Sequence, residues 1–186
     1  MVIKSEYGIT LSRLGQEDIE LVRKWRNDPE ISQFMEYRNY ITVEMQKKWF
    51  QSLNYNTDYF FISIYQSKKI GLVDVKRINW ERRIGETGIF IYDSAFQNTF
   101  IPVAVYFSIL DFSFYVLGLD KISAHILRNN KRAIKFNSAL GFKLQENQED
   151  SENQLYLLGK DVYEKKTGRL RNVLIRGMNK EREHEE

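Results

Sequence analysis

Apolar and polar positions change period several times along this chain, and each change predicts an element. Gly8 to Leu14 alternates as a first strand, after which Gln16 to Asn27 sets Ile19, Leu21, Val22 and Trp25 among charges at helical spacing. Asp28-Pro29 predicts a second helical start, a capping aspartate followed by proline at the first helical position. It runs through Ile31, Phe34 and Met35 to the polar turn Tyr37-Arg38-Asn39. Thr42 caps a third helix with Val43, Met45, Trp49, Phe50 and Leu53 as apolar positions, and its two aromatics are expected in the core. Tyr59 to Tyr65, Ile70 to Ile78 and Glu86 to Tyr92 are rich in β-formers. Gln66-Ser67-Lys68-Lys69 and Asn79 to Gly85 join them, as in an antiparallel meander.

The period then lengthens. Pro102 to Leu117 reads as a long, nearly all-apolar helix, Lys121 to Leu127 as a strand, Lys131 to Leu140 as a helix, and Phe142 to Glu146 with Gln154 to Leu158 as a closing pair. Asn129 or Asn130 caps the helix, Ile134, Phe136 and Leu140 give it an apolar side, and Gly141 ends it by accepting a left-handed backbone. Leu170 to Ile175 suggests one last short element. Residues 1–178 form a single domain in this reading, and 179–186 a charged, flexible tail. The order is mixed α+β, without an internal repeat.

Composition narrows the function classes. At 186 residues and 42% apolar, the chain suits one domain with a sizeable core. Its 28 basic and 25 acidic residues leave a net +3, too weak a field to require nucleic acid or a membrane as partner, and the patch from Arg128 to Lys135 is short. The absence of cysteine excludes disulfides and thiolate catalysis, and cytoplasm is the expected compartment. No signal-like apolar run stands at the start. The most apolar segment, Phe100 to Leu119, is interrupted by Pro102, Ser108, Asp111 and Ser113. With His125 and His184 as the two histidines, no metal site is expected, and His125 reads as a structural histidine or a cleft residue.

Three motifs carry a family resemblance: Trp25-Arg26-Asn27-Asp28-Pro29-Glu30 followed by Ile41-Thr42 and Trp49-Phe50; the strand Glu86-x-Gly88-Ile89-Phe90-Ile91; and Asn130 to Phe142. Together with the element order over residues 8 to 160, they resemble the GNAT (GCN5-related N-acetyltransferase) superfamily. The branch resembled holds ribosomal-protein N-terminal and aminosugar-nucleotide acetyltransferases. The resemblance implies a single-domain fold with a mixed, mostly antiparallel sheet, flanking helices and central strands that splay apart. It also implies acetyl-CoA as co-substrate, its pantetheine lying between those strands against the backbone of Ile89, Phe90 and Ile91. The family's diphosphate loop, Gln/Arg-x-x-Gly-x-Gly/Ala, stands here as Gln97-Asn98-Thr99-Phe100-Ile101-Pro102. Gln97 alone matches, and amides of residues 99 to 104, Pro102 excepted, are left to face phosphate. Asn98, Thr99, Phe100, Ile101, Val103, Arg132 and Phe136 complete the expected cofactor set.

Acetyl transfer to an amine needs a neutral nucleophile, an oxyanion stabiliser and a proton path for the leaving thiolate. By resemblance Glu86 is the candidate base, with Asp74 and Asp93 as alternatives and an exposed strand-end carboxylate as the bland reading. Asn130 is the candidate catalytic contact to the cofactor arm, or a simple helix cap. Where relatives place an acidic tyrosine this chain has Phe136, so Tyr106, Tyr92 or water would serve. Arg26 and Asn27 are the expected acceptor contacts, unless Arg26 only braces a turn. The function implied is an acetyl-CoA-dependent N-acetyltransferase for a primary amine, such as that of an aminosugar nucleotide, a peptide N-terminus or another small molecule. A non-catalytic GNAT-fold binding module that has lost its cofactor is the alternative, and a homodimer is a candidate assembly.

Overall fold

The computed structural model describes residues 1–183, with side chains to Met178. In chain order its elements are β1 (Val2–Lys4), β2 (Thr10–Arg13), α1 (Ile19–Asn27), α2 (Pro29–Ser32), α3 (Val43–Gln51), β3 (Tyr59–Tyr65), β4 (Lys68–Asn79) and β5 (Ile84–Ile91). Then follow α4 (Ser94–Gln97), α5 (Ile101–Asp111), β6 (Lys121–Leu127), α6 (Lys131–Leu140), β7 (Lys143–Leu144), β8 (Asn153–Gly159) and α7 (Lys160–Glu183). The strands form one sheet in the order β1-β2-β3-β4-β5-β6-β8-β7. All neighbours are antiparallel except β5 and β6.

Local chemistry accounts for most boundaries. Asp28 Oδ1 accepts from the Glu30 amide at 2.9 Å and Thr42 Oγ1 from the Met45 amide at 3.2 Å, so α2 and α3 begin where their caps stand. Asn130 Oδ1 accepts from the Ala133 amide at 3.0 Å, and Gly141 closes α6 at φ 106°. Gln66 and Ser67 both adopt positive φ, 46° and 62°, which makes the β3–β4 turn a two-residue reversal.

Alternation along β3 divides the core. Phe60 and Ile62 pack with Leu14, Val22, Trp25 and Leu72 beneath α1 and α3, whereas Phe61 joins Val73, Phe107, Ile109 and Tyr163 beneath α5 and α7. Phe107 and Phe114 are fully buried, each contributing roughly 1.5–3 kcal/mol by burial.

Four expectations change. A short strand, β1, precedes the first one read from the sequence and pairs with β2. The second helix is a single turn rather than a run to Met35. The long apolar helix is α-helical to Asp111 and then widens into a π turn over Phe112–Val116. The short element at Leu170 to Ile175 is part of a 24-residue helix, α7, docked through buried Tyr163, Thr167 and Met178. The backbone of 179–183 continues that helix. His184 and the rest of the expected tail, 184–186, lie outside the described residues. Among the described residues no helix is long and apolar enough to cross a membrane.

Candidate active site

Parallel pairing between β5 and β6 covers only Ile84–Lys121, Gly85–Ile122 and Glu86–Ser123. Beyond that point β5 stays paired with β4 as far as Ile91, and β6 with β8 as far as Leu127. A slot therefore opens between them. The Tyr92 amide donates to the Ile70 carbonyl at 2.8 Å. Antiparallel alternation then directs the peptide groups of Phe90 and Gly88 at β4 and those of Ile91, Ile89 and Thr87 into the slot. Gln97 Nε2 confirms the phase by donating to the Ile91 carbonyl at 3.0 Å.

The slot leads into a cavity of about 810 Å³ lined by α1 and α3 from one face of the sheet and by α5 and α6 from the other. At its centre stands a polar chain. Asp74 receives Lys76 Nζ at 2.9 Å; Lys76 also lies 3.6 Å from Glu86, and Glu86 is held by Arg77 at 3.0 Å and lies 3.4 Å from His125 Nδ1. Burial pushes the Asp74 carboxyl above its ordinary range, against the pull of Lys76. Burial presses Lys76 the other way, but Asp74 and Glu86 outweigh it and hold the ammonium above its usual value. Gly88 permits this approach, since a Cβ there would meet Asp74 Oδ2 at 3.0 Å.

On the α5 side the Tyr106 hydroxyl donates to Asn137 Oδ1 at 3.0 Å, and Asn137 Nδ2 to the Ala133 carbonyl at 2.9 Å. The Tyr106 ring lies 5.6 Å from that of Phe136 and is stacked on Phe142. Burial drives its phenol well above the ordinary value, so it stays protonated.

Glu86, Asn130, Ile89, Phe90, Ile91, Gln97, Thr99, Val103, Arg132, Phe136 and Arg26 all line the cavity, as do Asp74, His125 and Trp49. Trp49, expected in the core, is only partly buried and packs edge-on against Phe60 at 5.1 Å. Asn27 is not brought to the cavity: both ends of its amide clamp the Ile41 backbone, at 2.8 and 2.9 Å. Ile101 is in the core, with its amide on Thr99 Oγ1 at 3.1 Å, and Phe100 packs on Tyr65 rather than into the cavity. Asn98 holds Arg132 at 3.1 Å from outside the lining. Of the alternatives, Asp93 caps α4 and Tyr92 stacks on Trp25, both away from the cavity wall.

The acetyltransferase (GNAT) domain model matches residues 9–143. The chain belongs to the GNAT acetyltransferases.

Among its relatives, Acetyltransferase PseH of Campylobacter jejuni is 24% identical over 140 residues, 75% of this chain and 85% of PseH. Spermidine N(1)-acetyltransferase of Vibrio cholerae is 27% identical over 140 residues, 72% and 78% of the two chains. Solved GNAT structures share the fold. FdhC, a nucleotide-linked sugar GNAT, superposes with a TM-score of 0.77 at 18% identity over 94% of this chain and 98% of FdhC. Spermidine N-acetyltransferase from Vibrio cholerae, solved with CoA and spermine, gives 0.71 at 21% identity over 84% and 98%.

GNAT enzymes take their acetyl group from acetyl-CoA. The slot suits its arm, with the peptide edges of Ile89 and Ile91 turned into it. The diphosphate corner is leaner. Among the described residues the amides of Phe100 and Val103 have no partner, whereas Asn98, Thr99 and Ile101 have used theirs. Arg132, anchored on the Gln97 carbonyl and Asn98, brings positive charge to the same corner. Sequence reasoning passed over Lys76, Thr87, Asn137 and Gln46. Lys76, Thr87 and Asn137 each reach a group on another element, Glu86, the Asp74 carbonyl and Tyr106, and Gln46 is left without a partner for Nε2 among the described residues; none of this is marked by a local pattern.

Proposed function

We propose that this GNAT acetylates a primary amine on a small molecule, with an aminosugar nucleotide as the favoured acceptor. The observation that carries the reading is the slot between β5 and β6, opening directly onto the Asp74–Lys76–Glu86 cluster. Acetyl-CoA supplies an activated thioester there. The Ile89 and Ile91 peptides hold the arm, and an amide of this edge polarises the carbonyl, a kind of contact typically worth ~2.7–4 kcal/mol. Asn130 caps α6 through Oδ1 and lines the cavity, where its amide nitrogen is left to donate to the arm. Glu86, backed by Asp74, draws the ammonium proton through water so that a neutral amine attacks. The C–N bond forms as the C–S bond breaks, and Tyr106, beside Phe136, turns its one O–H from Asn137 Oδ1 to the departing sulfur.

The relatives favour the acceptor class in two ways: FdhC is a nucleotide-linked sugar GNAT, and it matches more of this chain than the spermidine enzyme does. Thiol release from acetyl-CoA, measured with an aminosugar nucleotide, glucosamine, spermidine and a peptide N-terminus, tests the proposal. The expected result is amine-dependent release, fastest with the sugar nucleotide. Release that no amine accelerates would overturn it, and so would a melting temperature that millimolar acetyl-CoA leaves unmoved.

A further inference from the structure

The α1–α3 end of the cavity is walled by Val22, Ile31, Met45, Trp49 and Phe60, and two nitrogen donors interrupt that apolar surface: Arg26 from α1 and Gln46 from α3. Gln46 is 5% exposed, and its Nε2 has no hydrogen-bond partner among the described residues. Arg26 Nε is buried and unpartnered as well. Buried donors are nearly always matched, because water has been removed and must be replaced. Here two unmatched donors, on helices that pack together, border one cavity.

The neighbouring arginine shows the contrast. Arg23, one turn earlier on α1, is taken up by Glu20, Tyr40 and the Ile41 carbonyl. Among the described residues Arg26 reaches only the Tyr37 carbonyl, at 3.4 Å. The carboxylate that acts on it through space is Asp74, already committed to Lys76. Glu30 and Glu36 line the same end but stand exposed to solvent. Burial lowers the guanidinium from its ordinary value, a strain that a bound anion relieves. Arginine and a primary amide are both suited to acceptor oxygens, arginine offering a fork of donors to a phosphate or carboxylate.

We infer that Arg26 and Gln46 form a subsite for an anionic oxygen group carried by the acceptor, so that the substrate is an amine bearing a phosphate or carboxylate rather than a polyamine. The inference rests on the N-acetyltransferase reading and deepens it. The subsite is distinct from the diphosphate corner. It lies on α1 and α3, which cover the opposite face of the sheet from α5, the helix that carries the Phe100–Val103 corner.

The test compares wild type with Arg26→Gln, Gln46→Leu and Arg26→Lys on four amines: glucosamine 6-phosphate, 4-aminobutyrate, glucosamine and spermidine. For wild type, an anionic amine is expected to have the highest kcat/KM, and the phosphate and carboxylate arms tell which anion fits. Arg26→Gln is expected to lower kcat/KM on the anionic amine by about tenfold or more, mainly through KM, with glucosamine changed by less than about threefold. Arg26→Lys recovers part of the loss, Gln46→Leu produces a smaller loss of the same selectivity, and affinity for CoA stays constant in all variants. An equal loss on glucosamine, or a wild-type preference for spermidine, overturns the subsite and leaves the acetyltransferase reading standing. Should no amine be turned over, the aminosugar nucleotide included, the functional proposal falls. Calorimetry of glucosamine 6-phosphate with wild type and Arg26→Gln then decides the subsite alone: weaker binding to the variant supports it, and equal binding or none overturns it.

Discussion

Asp74 and Asp111 are both aspartates drawn into the interior, and they do opposite things. Asp111, at the end of α5, collects Tyr7, Tyr163 at 2.8 Å and Arg171 at 2.8 Å, and so ties the β1–β2 turn and α7 to the central helix. Its donors are arranged around it away from the cavity. Asp74 has one strong cationic partner, borders the cavity, and is pushed toward holding a proton. A carboxylate saturated with donors is a brace. One left short of donors beside a cavity can exchange protons with what enters it.

The sharpest way to break this contrast is at Glu86, which shares Lys76 with Asp74. Glu86→Gln is expected to lower kcat by about 100-fold or more while the thermal melt stays nearly unchanged. A loss under threefold in the thiol-release assay would make the whole cluster structural. Asp111→Ala should do the reverse. We expect a loss of about 2–3 kcal/mol in urea unfolding, because two phenols and a guanidinium lose their acceptor, with CoA affinity retained in the folded fraction. Unaltered stability would show that α7 docks by packing alone.

Tyr106→Phe is smaller in effect, about tenfold in kcat, as the slot loses a hydrogen-bond donor but keeps its shape. A kcat equal to wild type would assign the proton to water. Smallest is an alkaline effect. Burial first, and then Asp111, raise the Tyr7 and Tyr163 phenols above their ordinary value. A raised folded pKa gives stability that is complete below the unfolded value of about 10 and is lost as pH climbs beyond it. Urea midpoints should fall above that pH, and less steeply in Tyr7→Phe. Equal slopes would detach Tyr7 from the brace.

Legibility followed locality. The bounds read for β3, β6 and α6 match the structure, because alternation, the Asn130 cap and the Gly141 stop act within a few residues. α7 was almost invisible. Gly168 and Gly177 look like breaks, and few of its side chains are buried. Two of the contacts that seat it run to a residue far away in sequence, from Tyr163 and Arg171 to Asp111, 52 and 60 residues apart. At the candidate site, Glu86, Asn130 and the Ile89–Ile91 edge could be chosen by motif. The position of Tyr106 beside Phe136 could not, since α5 and α6 meet only once the chain has folded, through ring contacts and the Tyr106–Asn137 hydrogen bond.

By itself the sequence determined most of the element order between β2 and β8, several caps and turns, the single α+β domain and the resemblance to GNAT enzymes, since these depend on side chains acting on their own backbone or on one repeating face. Only the tertiary structure decided where β5 and β6 part, which carboxylate braces and which faces the cavity, and that Asn27 clamps a loop while Arg26 and Gln46 keep free donors. Hydrogen-bond satisfaction is the physical reason. Whether a polar group is matched or left open depends on every element packed around it, and that is settled only when the chain has closed on itself.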